Sequence, residues 1–205
     1  MAFNPDEAAI VALLKRERFY RDTSQWDKLR SQYHPDAHET YINVSWFQGD
    51  ADKFVEQSQK RPSTNQGIEI DHFIDPHVIE IRGHRAISDS AIFIKRPADY
   101  KNHEYELGSR LRALNRFLKV AGEWKIVSLE VIYIRDRLIS TSPNSPKEPI
   151  VLDDSLLEFP REYRWMAWVM LMEGKRNPKK DLPRNGNIEE VRQMVARNEK
   201  FLEGG

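Results

Sequence analysis

A histidine stands in an apolar row. In "GIEIDHFIDPHVIEIRG" (67–83), strand alternation puts Ile68, Ile70, His72 and Ile74 on one face, with Glu69, Asp71, Phe73 and Asp75 on the other. The isoleucines make the first face the inward one. A neutral imidazole is stable there only when its nitrogens find partners. Two readings fit: a core histidine bonded to a carbonyl or hydroxyl, or a general base in a cavity. The base needs a second group to orient its ring, usually a carboxylate that accepts the Nδ1 proton. Asp22 is a candidate, because it falls between two helical segments where a bend over the sheet is expected. Asp22 with Gln25 three residues later equally matches a capping box for the second helix. Spacing leaves cap and partner both open.

Other chemistry is weakly signalled. In "HPDAH" (34–38), His34, Asp36 and His38 would share a face of a strand and suit a metal, but Pro35 favours a turn, and no metal is assigned. Arg110, Arg112 and Arg116 alternate with Leu111, Ala113 and Phe117, as on a solvated or subunit-facing sheet face. No glycine-rich phosphate loop and no Gly-x-Ser-x-Gly elbow occurs. The chain has no cysteine, which excludes disulfides, thiolate nucleophiles and cysteine metal sites. Lys+Arg and Asp+Glu both count 32, so net charge gives no support to a nucleic-acid partner. The start of the chain lacks a signal-peptide layout, and the longest apolar run, "WMAWVMLM" (165–172), is too short for a bilayer. These features predict a cytoplasmic protein with no membrane partner.

The elements that must position these residues are legible in outline. Asn4-Pro5-Asp6-Glu7 starts a helix, with a cap, a proline and acids in the first turn, and Ile10, Leu13 and Leu14 carry it to about Tyr20. A short helix is expected within 22–36, a strand at 37–47, and a third helix at 49–61 capped by Asp50. The period then changes to two, predicting strands at 68–75, 77–82, 85–95, 108–120 and 123–135. Residues 140–149, rich in proline and serine, read as a linker, and helices are expected at 161–175 and 187–202, the latter capped by Asn187. Helices followed by an antiparallel meander predict an α+β layout.

Three stretches carry a resemblance: "FYRDTSQWDKLRSQYHPDA" (19–37), "WFQGDADKFVEQ" (46–57) and "DHFIDPHVIEIRGHRAISDS" (71–90), with "GEWKIVSLEV" (122–131) matching a last strand. Over about residues 8–135 the chain resembles the SnoaL-like branch of the nuclear transport factor two-like superfamily. That resemblance implies a cone-shaped curved antiparallel sheet closed by helices around a deep apolar pocket. It also implies a catalytic dyad at Asp22 and His72, as in the family's dehydratases and dehydrochlorinases, and no cofactor. One of the family's dehydratases carries a tyrosine just before the dyad aspartate; here Arg21 stands there. Pocket candidates are Tyr20, Trp26, Tyr41, Trp46, Phe47, Phe54, Leu111 and Ala113, each of which also suits a packed core. The expected function is a lyase or isomerase of a polyketide- or terpenoid-like small molecule. A non-catalytic ligand carrier or interaction module on the same fold is the alternative. Domain limits are expected at 1–139 for the cone and 150–205 for a helical extension. The extension's Phe159, Tyr163, Trp165 and Trp168 must pack on the cone or on a second subunit, and a homodimer is the expected assembly.

Overall fold

The computed structural model describes residues 4–60, 70–144, 150–152, 154–174 and 176–204. The first helix, α1 (Pro5–Asp22), starts where Asn4 Oδ1 accepts the Asp6 N–H at 3.1 Å. It buries Ile10, Leu13 and Leu14. It runs two residues past the predicted end, and Ser24, with φ 57°, turns the chain into α2 (Trp26–Arg30).

The strand expected at 37–47 is instead a 3-10 turn (Ala37–Glu39) followed by β1 (Tyr41–Val44) and β2 (Phe47–Gly49). Short polar side chains hold the turn. The Asp36 carboxylate accepts the His38 N–H, and the Thr40 hydroxyl donates to the Ala37 carbonyl. The same Thr40 oxygen accepts the Ala51 N–H and so sets the start of α3 (Ala51–Gln59), which Asp50 caps through the Lys53 N–H.

Four long strands follow: β3 (Asp71–Arg82), β4 (Arg85–Tyr100), β5 (His103–Val120) and β6 (Glu123–Ser140). The sheet order is β2-β1-β6-β5-β4-β3. All pairings are antiparallel except β1 with β6, which is parallel and departs from the expected all-antiparallel sheet. Pro76 does not divide two strands as predicted. β3 lies at the sheet edge, where a missing N–H is tolerated, and the register shifts by a bulge between Pro76 and Val78. Two more bulges lie in β6, at Ile134 and Val127, opposite Arg110/Leu111 and Arg116/Phe117 of β5. Bulges bend strands and raise their twist, which curves the sheet into the expected cone.

The concave face holds the core: Ile74, Ile92, Leu107, Leu111, Ala113, Phe117, Leu129, Val131 and Tyr133 are all buried. Three helices follow, α4 (Asp154–Leu157), α5 (Arg164–Glu173) and α6 (Ile188–Glu203). Phe159, Tyr163 and Met166 to Met170 join that same core, with the Tyr163 ring 5.2 Å from the Tyr133 ring. Asp136 of β6 accepts the Met166 N–H at 2.7 Å and fixes the start of α5. Helix α6 lies on the opposite, convex face. Met194 is buried against Leu114 and Ile132, while Glu130 accepts bonds from Arg116 at 2.7 Å and Arg197 at 3.0 Å. The predicted linker starts as sheet, since Ser140 ends β6 and the Thr141 N–H donates to the Glu104 carbonyl; residues 145–149 lie outside the described residues.

Candidate active site

Asp22 is the last residue of α1, and His72 is the second residue of the edge strand β3. The helix end meets the open edge of the sheet, so one carboxylate satisfies two donors. Asp22 Oδ2 accepts the His72 backbone N–H at 2.8 Å. Asp22 Oδ1 lies 2.6 Å from His72 Nδ1, and both side chains are only 6% exposed. The capping alternative does not hold: the N-cap of α2 is Gln25, and no side chain bonds the backbone N–H groups of that helix start.

The charge states follow. Burial pushes the His72 ring down to about 4, against the Asp22 bond, which favours the imidazolium, and with the Arg21 charge, which opposes it. Burial opposes ionisation of Asp22 as well, yet the bonds from His72 and the charges of His72 and Arg21 leave its carboxyl below the usual range. At neutral pH the pair is therefore a carboxylate beside a neutral imidazole. The carboxylate holds the proton on Nδ1, and Nε2 becomes the acceptor.

His72 lines a cavity of about 860 Å³ on the concave face, a volume that suits a drug-sized molecule. Ile92, Ile94, Leu107, Leu111, Val131, Met166 and Met170 form an apolar side of the wall, and polar or charged side chains make up about half of the lining. Trp26 and Trp46 also line it, Trp46 stacking on Phe54 with ring centres 5.7 Å apart. Of the predicted pocket residues, Trp26, Trp46 and Leu111 reach the cavity. The other five do not. Phe47, Phe54 and Ala113 are packed core, 4%, 0% and 0% exposed. Tyr20 packs at the core margin beneath the Lys28 ammonium, and Tyr41 bonds Gln48 on the side of the sheet that holds Glu130. Neither helical nor strand periodicity tells cavity wall from filled core: Tyr20 and Phe54 lie on helices, Tyr41 and Phe47 on short strands, and Ala113 on the long β5.

Several wall residues escaped the sequence reading. Arg18 and Arg21 come from α1, one turn apart; Met166, Met170 and Glu173 come from α5. The i, i+4 pair of methionines was the available signal for the second group. Arg96 of β4 pairs with Glu173 and ties α5 across the cavity wall. Tyr133 is a further polar wall group; burial pushes its hydroxyl up to about 12, so it is a neutral donor at all ordinary pH. In the His34–His38 stretch, the Asp36 N–H donates to His34 Nδ1 while Asp36 accepts from His38, so these groups build the turn. Among the described residues no helix is long and apolar enough to cross a membrane.

A cone with a buried carboxylate–imidazole pair at the cavity wall defines the class, and residues 4–130 match the model of the SnoaL-like domain: the chain belongs to that family. Among curated proteins it is similar to pea pathogenicity protein 2 of Fusarium vanettenii, 26% identical over 172 residues, covering 80% of this chain and 71% of that protein. A PEP2-like protein of the same fungus is 24% identical over the same shares. Among solved structures the fold matches a hexachlorocyclohexane dehydrochlorinase, with TM-score 0.50 and 12% identity over 71% of this chain and 95% of that one. A Novosphingobium aromaticivorans protein provisionally assigned as a scytalone dehydratase gives TM-score 0.51 and 15% identity over 72% and 94%. At these identities the structural matches establish the fold alone.

Proposed function

We propose that the protein is a cofactor-independent lyase or isomerase in which Asp22 and His72 act as a general acid–base pair. The substrate is an apolar polyketide- or terpenoid-like molecule of secondary metabolism. The observation that carries this reading is the 2.6 Å contact between Asp22 Oδ1 and His72 Nδ1, at the wall of a cavity large enough for such a substrate.

The substrate seats against Leu111, Val131 and Met170, with a carbon beside its carbonyl group facing Nε2. His72 removes the proton, and the electron pair moves into an enolate. The imidazolium that forms is stabilised by Asp22 and by the new negative charge beside it, which raises the ring's affinity for the proton during the step. Return of that proton to a β-hydroxyl releases water and completes a dehydration; return to another carbon completes an isomerisation. Tyr133 offers a hydroxyl donor on the same wall. The same dyad is consistent with what the fold-matched dehydrochlorinase and the provisional dehydratase are named for.

One observation favours a second reading, a non-catalytic ligand carrier. A ring held near 4 is a weak base at rest. Incubation with a panel of β-hydroxyketones and unconjugated enones in D2O, followed by proton NMR, separates the two. Elimination, double-bond migration or α-deuteration by the wild type, lost in folded His72→Ala, supports the enzyme. Undiminished turnover in that variant refutes the dyad, and binding without turnover across the panel favours the carrier.

The assembly belongs to the same proposal. Helix α6 takes part of the convex sheet face, so a homodimer would form through the remainder, where Phe73 and its cross-strand partner Phe93 are 52% and 46% exposed. Sedimentation of wild type and Phe93→Glu reads that contact directly.

A further inference from the structure

Five cationic side chains line the cavity: Arg18, Arg21, Lys60, Arg96 and Arg176. Arg18 is paired with Glu17 at 2.9 Å, Lys60 with Glu56 at 2.7 Å, and Arg96 with Glu173. Arg176 lies 3.5 Å over the Trp46 ring. Arg21 differs. Among the described residues it has no hydrogen bond and no ion pair; its guanidinium carbon lies 5.2 Å from the Phe54 ring centre and 5.9 Å from that of Trp46.

The acids that α1 places near it are already engaged. Both oxygens of Asp22 are taken by His72. Glu17 is held by Arg18 and by the Tyr33 hydroxyl at 2.8 Å. Burial pulls the Arg21 guanidinium below its ordinary value, yet arginine stays charged at any ordinary pH. A partly buried cation is costly, and contact with two aromatic rings offsets only part of that cost. The rings leave the N–H fork without an acceptor. A planar fork of donors at the wall of the cavity matches a carboxylate, which it binds through two parallel hydrogen bonds.

We infer that Arg21 is the anion-docking residue of the cavity and that the natural ligand is an apolar small molecule bearing a carboxylate. This rests on the reading of the cavity as a small-molecule site, but not on turnover. Arg21 directly precedes Asp22, so a carboxylate docked on it lies close to the dyad and fixes which carbon faces His72.

The test is binding by isothermal titration calorimetry with two probes of equal shape, 2-naphthoate and its neutral amide, 2-naphthamide. The wild type should prefer the carboxylate by about tenfold or more. Arg21→Gln should remove that preference by weakening naphthoate binding far more than naphthamide binding, and Arg21→Lys should retain part of it. On the wild type itself, naphthoate should shift the Arg21 Nε–Hε resonance, which keeps the proposal testable if Arg21→Gln fails to fold. His72→Gln should keep the preference, so that a failed dyad and a failed anion site give different results. Equal affinity for the two probes in the wild type, a preference that survives Arg21→Gln, or no binding of either probe at millimolar concentration overturns the inference.

Discussion

Replacing Asp22 by asparagine changes one atom and reverses the hydrogen-bond logic of the pair. The carboxylate accepts twice from His72, at 2.8 Å from the backbone N–H and at 2.6 Å from Nδ1. Asparagine has one oxygen and one NH2 group. The backbone N–H cannot change its role, so the amide oxygen must stay on it. The NH2 then faces Nδ1 and can bond only if that nitrogen gives up its proton. Asp22→Asn is therefore expected to switch His72 to the Nε2–H tautomer, which puts a donor instead of an acceptor on the ring's other nitrogen. Two charge-assisted bonds, each worth about 1.5–3 kcal/mol, become two neutral ones of about 1 kcal/mol, a loss of about 1–4 kcal/mol in total. With side chains only 6% exposed, solvent screening does not reduce that figure. At a urea slope of about 2 kcal/mol/M the midpoint falls by about 0.5–2 M. Long-range 1H–15N correlation spectra at pH 7, with His72 assigned through His72→Gln, read the tautomer directly. An Nε2–H ring in the wild type, or the same tautomer in both proteins, would refute the reasoning.

Two further outcomes follow from buried groups. Asp136 is pushed up to about 6 by burial, above its ordinary 3.8, so its contribution to stability is complete below pH 4 and is lost as pH rises through 6. The loss is about 3 kcal/mol; Asp136→Asn keeps an acceptor for the Met166 N–H and should therefore exceed the wild type in stability at pH 7 by about 2–3 kcal/mol, with the difference vanishing near pH 4 in chemical denaturation. The wild-type curve alone would mislead, because His72, depressed to about 4, gives the opposite slope, losing stability as pH falls from 6.5. On the convex face, Met194 is 1% exposed against Leu114 and Ile132, so Met194→Ala should cost about 2–4 kcal/mol in urea unfolding; a cost under 0.5 kcal/mol would show that α6 is not docked.

The sequence by itself determined the periodic and local features. The cap and proline of α1, the Asp50 and Asn187 caps and the hairpin turns depend on neighbours a few residues apart and formed at their predicted places, while the period-two strands formed but β4, β5 and β6 each run five residues longer than predicted. The inward row that holds His72 was legible from alternation, and the resemblance named Asp22 as its partner. What the tertiary structure decided were the choices that a local pattern leaves open. Asp22 could cap a helix or orient a ring, and the approach of the α1 end to the unpaired edge of β3 settled its contact, 50 residues away in sequence. Pro76 reads as a strand break, but at a sheet edge its missing N–H faces no partner. Phe54 and Ala113 read as pocket wall yet are packed solid, while Met166 and Met170, beyond the region of resemblance, reach the cavity. Alternation tells which face of an element turns inward; whether the space it meets is filled or open is set by elements distant in sequence.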